Sequence, residues 1–245
     1  MRILALETTD KTGTVAALDG GNVLEEMTLE PTRRSAQTLA PAIQSLLSHV
    51  GWRPPDVQLV GVSIGPGSFT GLRVGVTLAK VFAYAIGAEV LGVDTLEAIA
   101  AAAMGVPANG ERKLPVGPLA VVADALRGDV IAQSFAAGPG GVAEPLGPQE
   151  LIAAETWLDR LAPGVRVAGP ALVKLFDRLP RTAAAIDRQY WFPQAAWIGR
   201  LAAHDYALGR RDDLWRLAPR YFRRAAAEEK WEATGKLSPL PPGEG

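Results

Sequence analysis

Short apolar runs separated by turn residues open the chain. The runs cover residues 3–6, 14–18 and 23–29, and polar or glycine-rich turns lie between them. Such runs between turns are typical of β-strands joined by hairpins. We therefore expect the chain to begin with a three-stranded meander.

Apolar positions recur at helical spacing over residues 35–50. The positions that share one face of this helix are Leu39, Ile43, Leu46 and Leu47. Spacing of three and four residues predicts an amphipathic helix. Pro41 lies inside it, and a proline cannot donate the backbone hydrogen bond of a helix, so we expect a kink or a later helix start.

A strand predicted over residues 59–64 leads directly into a glycine-rich segment, which we call the glycine junction (residues 65–73, Gly-Pro-Gly-Ser-Phe-Thr-Gly-Leu-Arg). A long helix is expected from there to about Ile86. A strand over residues 90–93 and a helix over residues 95–104 follow, and this alternation favours a parallel α/β layer.

The second half of the chain repeats the mixture of strands and helices. Strands are predicted over residues 119–123, 129–135 and 165–168, a loop over 138–147, and helices over 150–161, 171–179 and 195–208. The proline- and glycine-rich stretch 106–118 reads as a connection between lobes. We therefore predict an N-terminal lobe over residues 1–105 and a C-terminal lobe over residues 106–245, with the last residues flexible.

Composition narrows the classes of function. With 48% hydrophobic and 21% charged residues, the chain belongs among ordinary globular proteins. It has no cysteine, which excludes disulfides, thiol nucleophiles and Cys-ligated metals, and its net charge of −1 gives no overall attraction to nucleic acid. The first apolar run is too short for a signal peptide or a membrane span, so we expect a cytoplasmic protein without a membrane partner.

The glycine junction could bind an anion, because free amides at a helix start attract negative charge. The candidate nucleotide or anion contacts are Thr8, Thr9, Gly65, Gly67 and Ser68. The junction nevertheless lacks the Gly-Lys-Ser/Thr ending of a P-loop, and its glycine spacing does not fit Gly-x-Gly-x-x-Gly. A tight structural junction and an anion site therefore remain equal alternatives.

The helix after the junction has two narrow stripes. The polar stripe consists of Arg73, Thr77, Lys80 and Tyr84. The other stripe consists of the small residues Gly75, Ala79 and Ala83. A stripe of small residues lets a second element come close. Burial against the chain's own sheet and docking onto a partner helix both explain this pattern.

The remaining candidates for chemistry have no diagnostic spacing. His49 and His204 stand apart from one another, and so do the acids near predicted strand ends, Asp10, Asp94, Asp124 and Asp129. Arginines are frequent over residues 200–224, where Tyr221 and Phe222 lie among them. A solvated face and a contact with tRNA phosphates both explain that cluster.

Three segments together resemble one known family. The glycine junction with Gly75 and Lys80 is similar to the signature of the bacterial TsaB proteins, also called YeaZ, which help to make threonylcarbamoyladenosine in tRNA. Residues 92–98 resemble the family's next block, and residues 217–223 (Leu-Ala-Pro-Arg-Tyr-Phe-Arg) resemble its C-terminal Pro-x-Tyr-x-Arg motif. The chain departs from the pattern at Glu7, usually Asp, at Leu126, where Asp-Ala-Arg is usual, and at Ser35, near a position often held by His.

The resemblance implies a two-lobed α/β fold, shared by actin, sugar kinases and heat-shock ATPases, with a mixed sheet in each lobe. It also implies a relative of the TsaD transferases, in which two histidines after an equivalent strand bind a metal. Here Thr95 and Ile99 stand at those positions, and neither replaces an imidazole. We therefore expect no catalytic residue, no metal and no cofactor on this chain, with ATP and a metal on partner subunits.

The resemblance further implies a scaffold that binds a TsaD-type catalytic subunit, with a TsaE-type ATPase as third member and tRNA bound through the complex. The expected interface consists of Leu39, Ile43, Leu46, Leu47, Val74, Val76, Leu78, Lys80, Val81 and Tyr84. A homodimer through the same surface is an alternative when no partner is present. Three other functions remain open at this point: nucleotide binding or hydrolysis, a peptidase, and an RNA-binding module.

Overall fold

The computed structural model describes residues 1–10, 12–30, 35–105, 117–138 and 143–222. Its strands are β1 (Arg2–Glu7), β2 (Thr14–Asp19), β3 (Asn22–Thr28), β4 (Leu59–Gly65), β5 (Glu89–Asp94), β6 (Leu119–Asp124), β7 (Asp129–Ala137), β8 (Ala143–Pro145), β9 (Glu150–Ala153), β10 (Arg166–Ala168) and β11 (Ala184–Ala185). Its α-helices are α1 (Ser35–His49), α2 (Phe69–Ile86), α3 (Thr95–Met104), α4 (Ala154–Asp159), α5 (Leu172–Leu175) and α6 (Ala195–Ala207).

The first sheet has five strands in the order β3-β2-β1-β4-β5. The meander β1-β2-β3 is antiparallel, whereas β1, β4 and β5 run parallel. Each parallel step needs a crossover, and α1 and α2 lie in those crossovers. The predicted meander and the strand–helix alternation after it are therefore confirmed.

Helices cover both faces of the first sheet. Alternate residues of β1 point to opposite faces, so that Leu4 and Leu6 pack with α1 and α2, while Ile3 and Ala5 pack with α6. The helix α1 already begins at Ser35 with Pro41 inside it, so a later start, one of the two predicted alternatives, is wrong, and the kink stays a prediction.

The second sheet is also mixed and has the order β11-β10-β6-β7-β8, with β9 paired to β7. The strands β6 and β7 form an antiparallel hairpin, while β10 runs parallel to β6. The two mixed sheets confirm the predicted two-lobed α/β architecture.

Three predictions for the second half of the chain need correction. Residues 150–153, predicted as helix, form β9, because pairing with β7 outweighs a local pattern that also fits a helix. The predicted loop 138–147 contains β8. The helix expected to reach Leu179 ends at Leu175 and continues as a single 3₁₀ turn.

The helix α6 follows the second sheet in sequence, yet it packs on the first. Its buried residues Ile198 and Ala202 lie among Ile3, Leu18 and Leu59. The N-terminal lobe is therefore completed by residues far along the chain. The predicted connection between lobes falls mostly on residues 106–116, and the predicted flexible end on residues 238–245; both lie outside the described residues.

Candidate functional site

The glycine junction turns the chain from β4 into α2. Gly65 has a φ of +116°, which L side chains rarely adopt, and a Cβ there would lie 2.7 Å from the carbonyl oxygen of Arg220. Ser68 caps α2, because its Oγ accepts a hydrogen bond from the Gly71 amide at 3.2 Å. The start of the helix is thus partly satisfied by the chain itself.

The turn after β1 fills the space beside the junction. Thr8 Oγ1 donates to the Gly71 carbonyl at 2.8 Å, and the Ser68 amide donates to the Thr9 carbonyl at 2.7 Å. A Cβ on Gly67 would lie 2.4 Å from the Cβ of Thr9, and one on Gly71 only 1.8 Å from the carbonyl oxygen of Thr8. These glycines therefore make room for the chain's own turn.

The structure brings all five candidate anion contacts together, although most of their polar groups are engaged within the chain. Thr8 and Thr9 are buried, and both hydroxyls donate to other residues of the chain. Gly67 and Ser68 are exposed. An anion at the Thr8–Thr9 turn would have to displace existing hydrogen bonds, and the anion contact stays a prediction.

Glu7 lies beneath this turn with no exposed side-chain surface. Its Oε1 accepts hydrogen bonds from the amide and the hydroxyl of Thr9, both at 2.5 Å. Within the described residues its Oε2 has no hydrogen-bond partner. Burial raises the pKa of Glu7 from 4.5 to about 7, although the bonds from Thr9 oppose that change.

Two of the other acids at strand ends are engaged in structural contacts. Asp94 Oδ1 accepts from the amides of Leu96 and Glu97 and so caps α3. Asp124 lies 2.5 Å from the ammonium of Lys174. Across the described ranges, His, Asp and Glu side chains form no group of three that could hold a metal ion.

Thr95 and Ile99 lie at the start of α3 and are buried. Ile99 packs in the core of the second sheet with Leu119 and Phe135, and it has no donor atom for a metal. Of the two positions where the resemblance implies metal-binding histidines in the transferases, Ile99 therefore belongs to an apolar core in this chain.

Half of the expected partner interface faces the interior of the chain, which corrects that part of the prediction. The buried members are Leu39, Ile43, Leu46, Leu47 and Val76, and all five belong to one core between α1, α2 and the first sheet. Amphipathic spacing identifies the apolar face of a helix, but it does not tell the chain's own sheet from a partner.

The other five residues of the predicted interface lie on α2 and are at least partly exposed. Val81 is 58% exposed and Tyr84 is 67% exposed, whereas Val74, Leu78 and Lys80 are half-buried. Exposed apolar side chains next to one another are more informative than a single one. The candidate face is therefore narrower than predicted and centres on the last turns of α2.

A segment from the end of the chain lies along α2, and sequence reasoning missed it. We call it the strap (residues 209–222). The Lys80 ammonium donates to the carbonyls of Trp215 and Leu217, both at 3.0 Å, and the ring of Tyr84 lies 5.4 Å from that of Trp215. The hydroxyl of Tyr221 accepts from Arg73 Nε at 3.1 Å. The strap thus explains three of the four residues of the polar stripe.

Trp215 of the strap enlarges the exposed face of α2. It is 72% exposed and lies edge-on to Tyr84. Because Val81 precedes Tyr84 by one turn of the helix, the three side chains form one face, which we call the α2 face (Val81, Tyr84 and Trp215). The only sequence signal for Trp215 was its place two residues before the C-terminal motif.

Most of the arginines predicted as a cluster are engaged within the chain. Arg210 pairs with Asp205 at 2.7 Å and with Asp212 at 3.0 Å. Arg200 lies over the ring of Trp197, 4.5 Å from its centre. These contacts favour the structural explanation of the cluster over a tRNA contact. Arg223 and Arg224 lie outside the described residues.

By length and hydropathy alone, α2 would also be suited to cross a bilayer. Its buried side nevertheless faces the first sheet, and its Arg73 and Lys80 contact the strap. This arrangement is that of a core helix.

Comparisons with known proteins agree across sequence and structure. The sequence model of the family described as "TsaD: tRNA N6-adenosine threonylcarbamoyltransferase" matches residues 22–166. The tRNA threonylcarbamoyladenosine biosynthesis protein TsaB of Bacillus subtilis is 30% identical over 240 residues, which cover 94% of this chain and 98% of that protein. The protein of the same description from Escherichia coli is 37% identical over 102 residues, 41% of this chain and 43% of that protein.

Among solved structures, YeaZ from Pseudomonas aeruginosa superimposes with a TM-score of 0.75 at 25% identity, covering 90% of this chain and 99% of that one. The fold class predicted from the sequence is therefore confirmed.

Proposed function

Because the chain belongs to the TsaB (YeaZ) family of tRNA threonylcarbamoyladenosine biosynthesis proteins, we propose that it serves this pathway as a non-catalytic scaffold that binds a TsaD-type transferase subunit. Membership of the family supports involvement in threonylcarbamoyladenosine biosynthesis. The scaffold role and the partner are inferred from the site.

The absence of catalysis is inferred from Thr95 and Ile99, which stand where the resemblance implies the two metal-binding histidines of the transferases. A chain that matches the transferase family over residues 22–166 has Thr95 and Ile99 where that family's histidines are expected, and both are buried. A hydroxyl is a poor ligand for a divalent metal and an aliphatic side chain is none. Fold alone does not supply chemistry, so the role is sought in binding.

Binding is argued from the α2 face. Three large side chains, each more than half exposed, lie together: Val81 and Tyr84 on α2, and Trp215 on the strap against Tyr84. Aromatic side chains are enriched at protein interfaces, because they bury much apolar area at low entropic cost. The half-buried Val74, Leu78 and Lys80 are proposed to lie at its edge.

The proposal extends to the other members of the complex. A TsaE-type ATPase would be the third subunit, tRNA would bind through the complex, and ATP and a metal would reside on the partners. The chain would act in the cytoplasm without a membrane partner.

Co-purification tests the proposed face. Val81→Glu places a charge in the centre of the α2 face, and we expect at least about a tenfold loss of affinity for the TsaD-type subunit, because an interface core does not tolerate an unpaired charge. Circular dichroism should stay unchanged, since Val81 is 58% exposed.

Val173→Glu is the matched control. Val173 is 55% exposed and lies on α5 of the second lobe, so the same chemical change occurs away from the α2 face. Equal binding by the two variants would exclude this face as the docking surface, and transferase activity of the isolated chain would exclude the scaffold role.

A further inference from the structure

The middle of the strap contacts α2 directly. The Lys80 ammonium donates to two strap carbonyls, and Tyr84 and Trp215 make a ring contact. Leu217 of the strap is buried in the core that α1 and α2 share with the first sheet. A substitution of Lys80 or Tyr84 on α2 therefore removes a direct contact with the strap.

Arg220, close to the C-terminal end of the strap, is hydrogen-bonded to the carboxyl edge of the first sheet. The Arg220 amide donates to the Ile64 carbonyl of β4 at 2.7 Å. Its guanidinium Nη1 donates to Asp94 Oδ2, at the end of β5, at 3.1 Å. The side chain of Asp94 is 11% exposed and that of Arg220 is 54% exposed, so solvent screens this ion pair from one side only.

The same oxygen, Asp94 Oδ2, also accepts a hydrogen bond from the second lobe. Gln149, which directly precedes β9, donates from Nε2 to Asp94 Oδ2 at 2.7 Å and to Gln133 Oε1 of β7 at 3.2 Å. Asp94 Oδ1 meanwhile caps α3. One side chain thus joins the first sheet, the second sheet and the strap.

We propose that the strap couples the α2 face to the joint between the two lobes, through Arg220, Asp94 and Gln149. Two donors share one acceptor oxygen, so a strap that shifts on α2 changes the position and strength of the bond that Gln149 makes. The coupling rests on the proposed function only for the identity of the partner that docks on α2. Its existence is a property of the isolated chain.

Amide exchange and NMR on the isolated chain test the coupling. Lys80→Met removes the ammonium that holds the Trp215 and Leu217 carbonyls while keeping most of the side-chain volume. We expect about tenfold faster exchange of the Arg220 amide, because hydrogen bonds to charged groups are among the stronger ones. The Gln149 side-chain amide signals should shift, and the β9 amides should exchange about threefold faster.

Val173→Ala is the control, since it removes only apolar atoms of an exposed side chain on α5, away from α2 and the strap. It should leave the signals of the strap and of Gln149 unchanged. Trp215→Ala loosens the strap at the same place as Lys80→Met and should reproduce its effect, so the test does not depend on one variant.

A double mutant separates transmission through the strap from general loosening. Arg220→Gln should shift the Gln149 signals by itself, and adding Lys80→Met to it should produce little further change there. Faster strap exchange with unchanged Gln149 and β9 signals would overturn the coupling, and so would fully additive effects. Because no TsaD-type subunit is present, either result leaves the co-purification test of the α2 face unaffected.

Discussion

Glu7 combines complete burial with an ionisable group at the point where β1 meets the glycine junction. Only one of its carboxylate oxygens accepts hydrogen bonds from described residues, and burial raises its pKa to about 7. The sequence marked this residue only as a departure from the aspartate that the family usually has. Its protonation could not be predicted, because a pKa depends on what surrounds the side chain and not on its neighbours in sequence.

Glu7 should make stability fall as the pH rises through neutrality. The pKa is higher in the folded chain than in the unfolded one, so the folded chain binds the proton more tightly between pH 4.5 and about 7. This contribution is fully present below pH 4.5 and is lost as the pH passes 7. Glu7→Gln carries no charge, and relative to it the wild type should lose on the order of 3 kcal/mol of unfolding free energy between pH 4.5 and 8.

Urea denaturation of both proteins at several pH values measures this difference. Comparing the two cancels the contribution of Glu97, whose pKa burial also raises to about 7. A difference in stability that does not change with pH would show that Glu7 titrates normally.

The helix α2 illustrates what periodicity predicts and what it leaves open. Its bounds and its small-residue stripe could be read from the sequence, because both depend on local spacing. The sequence did not show what packs against that stripe. In the structure, Gly75 makes room for Thr8, and Ala79 and Ala83 lie in the core with α1 and the first sheet. Likewise, the polar stripe needed a segment more than a hundred residues away to explain it.

Gly71→Ala should strongly destabilise the packing of α2 on the turn after β1. The added Cβ would lie 1.8 Å from the carbonyl oxygen of Thr8, and a backbone atom cannot move aside without shifting the turn. We expect a loss of about 3 kcal/mol or more, since overpacking against rigid neighbours costs about that much. Gly21→Ala is the matched control, because nothing lies within 4 Å of its added Cβ. Equal melting temperatures for the two variants would contradict this account of the glycine junction.

At the scale of the whole molecule, the α2 face should have consequences even without a partner. Exposed apolar side chains that lie together favour self-association. We expect the isolated chain to form a dimer through this face at micromolar concentrations. Sedimentation equilibrium should show Val81→Glu at the monomer mass of 25.8 kDa, while Val173→Glu remains dimeric. A monomeric wild type would contradict the prediction.

Sequence reasoning gave the two lobes and the class of fold, because strand and helix signals are local and the family motifs are distinctive. It did not reveal that α6 and the strap both belong to the first lobe. Contacts such as Arg220 with Asp94 join residues 126 positions apart, and no local pattern encodes them. For the same reason the predicted interface included core residues: the covering elements had not been identified.

The position of α6 has a consequence for how the chain is made. The first sheet consists of residues 2–94, yet the helix that covers one of its faces is residues 195–207. While the ribosome synthesises the intervening residues, Ile3, Leu18 and their neighbours lack the cover that α6 provides. The N-terminal lobe therefore cannot complete its core before residues 195–207 are made, and the nascent chain exposes part of an apolar surface until they have emerged.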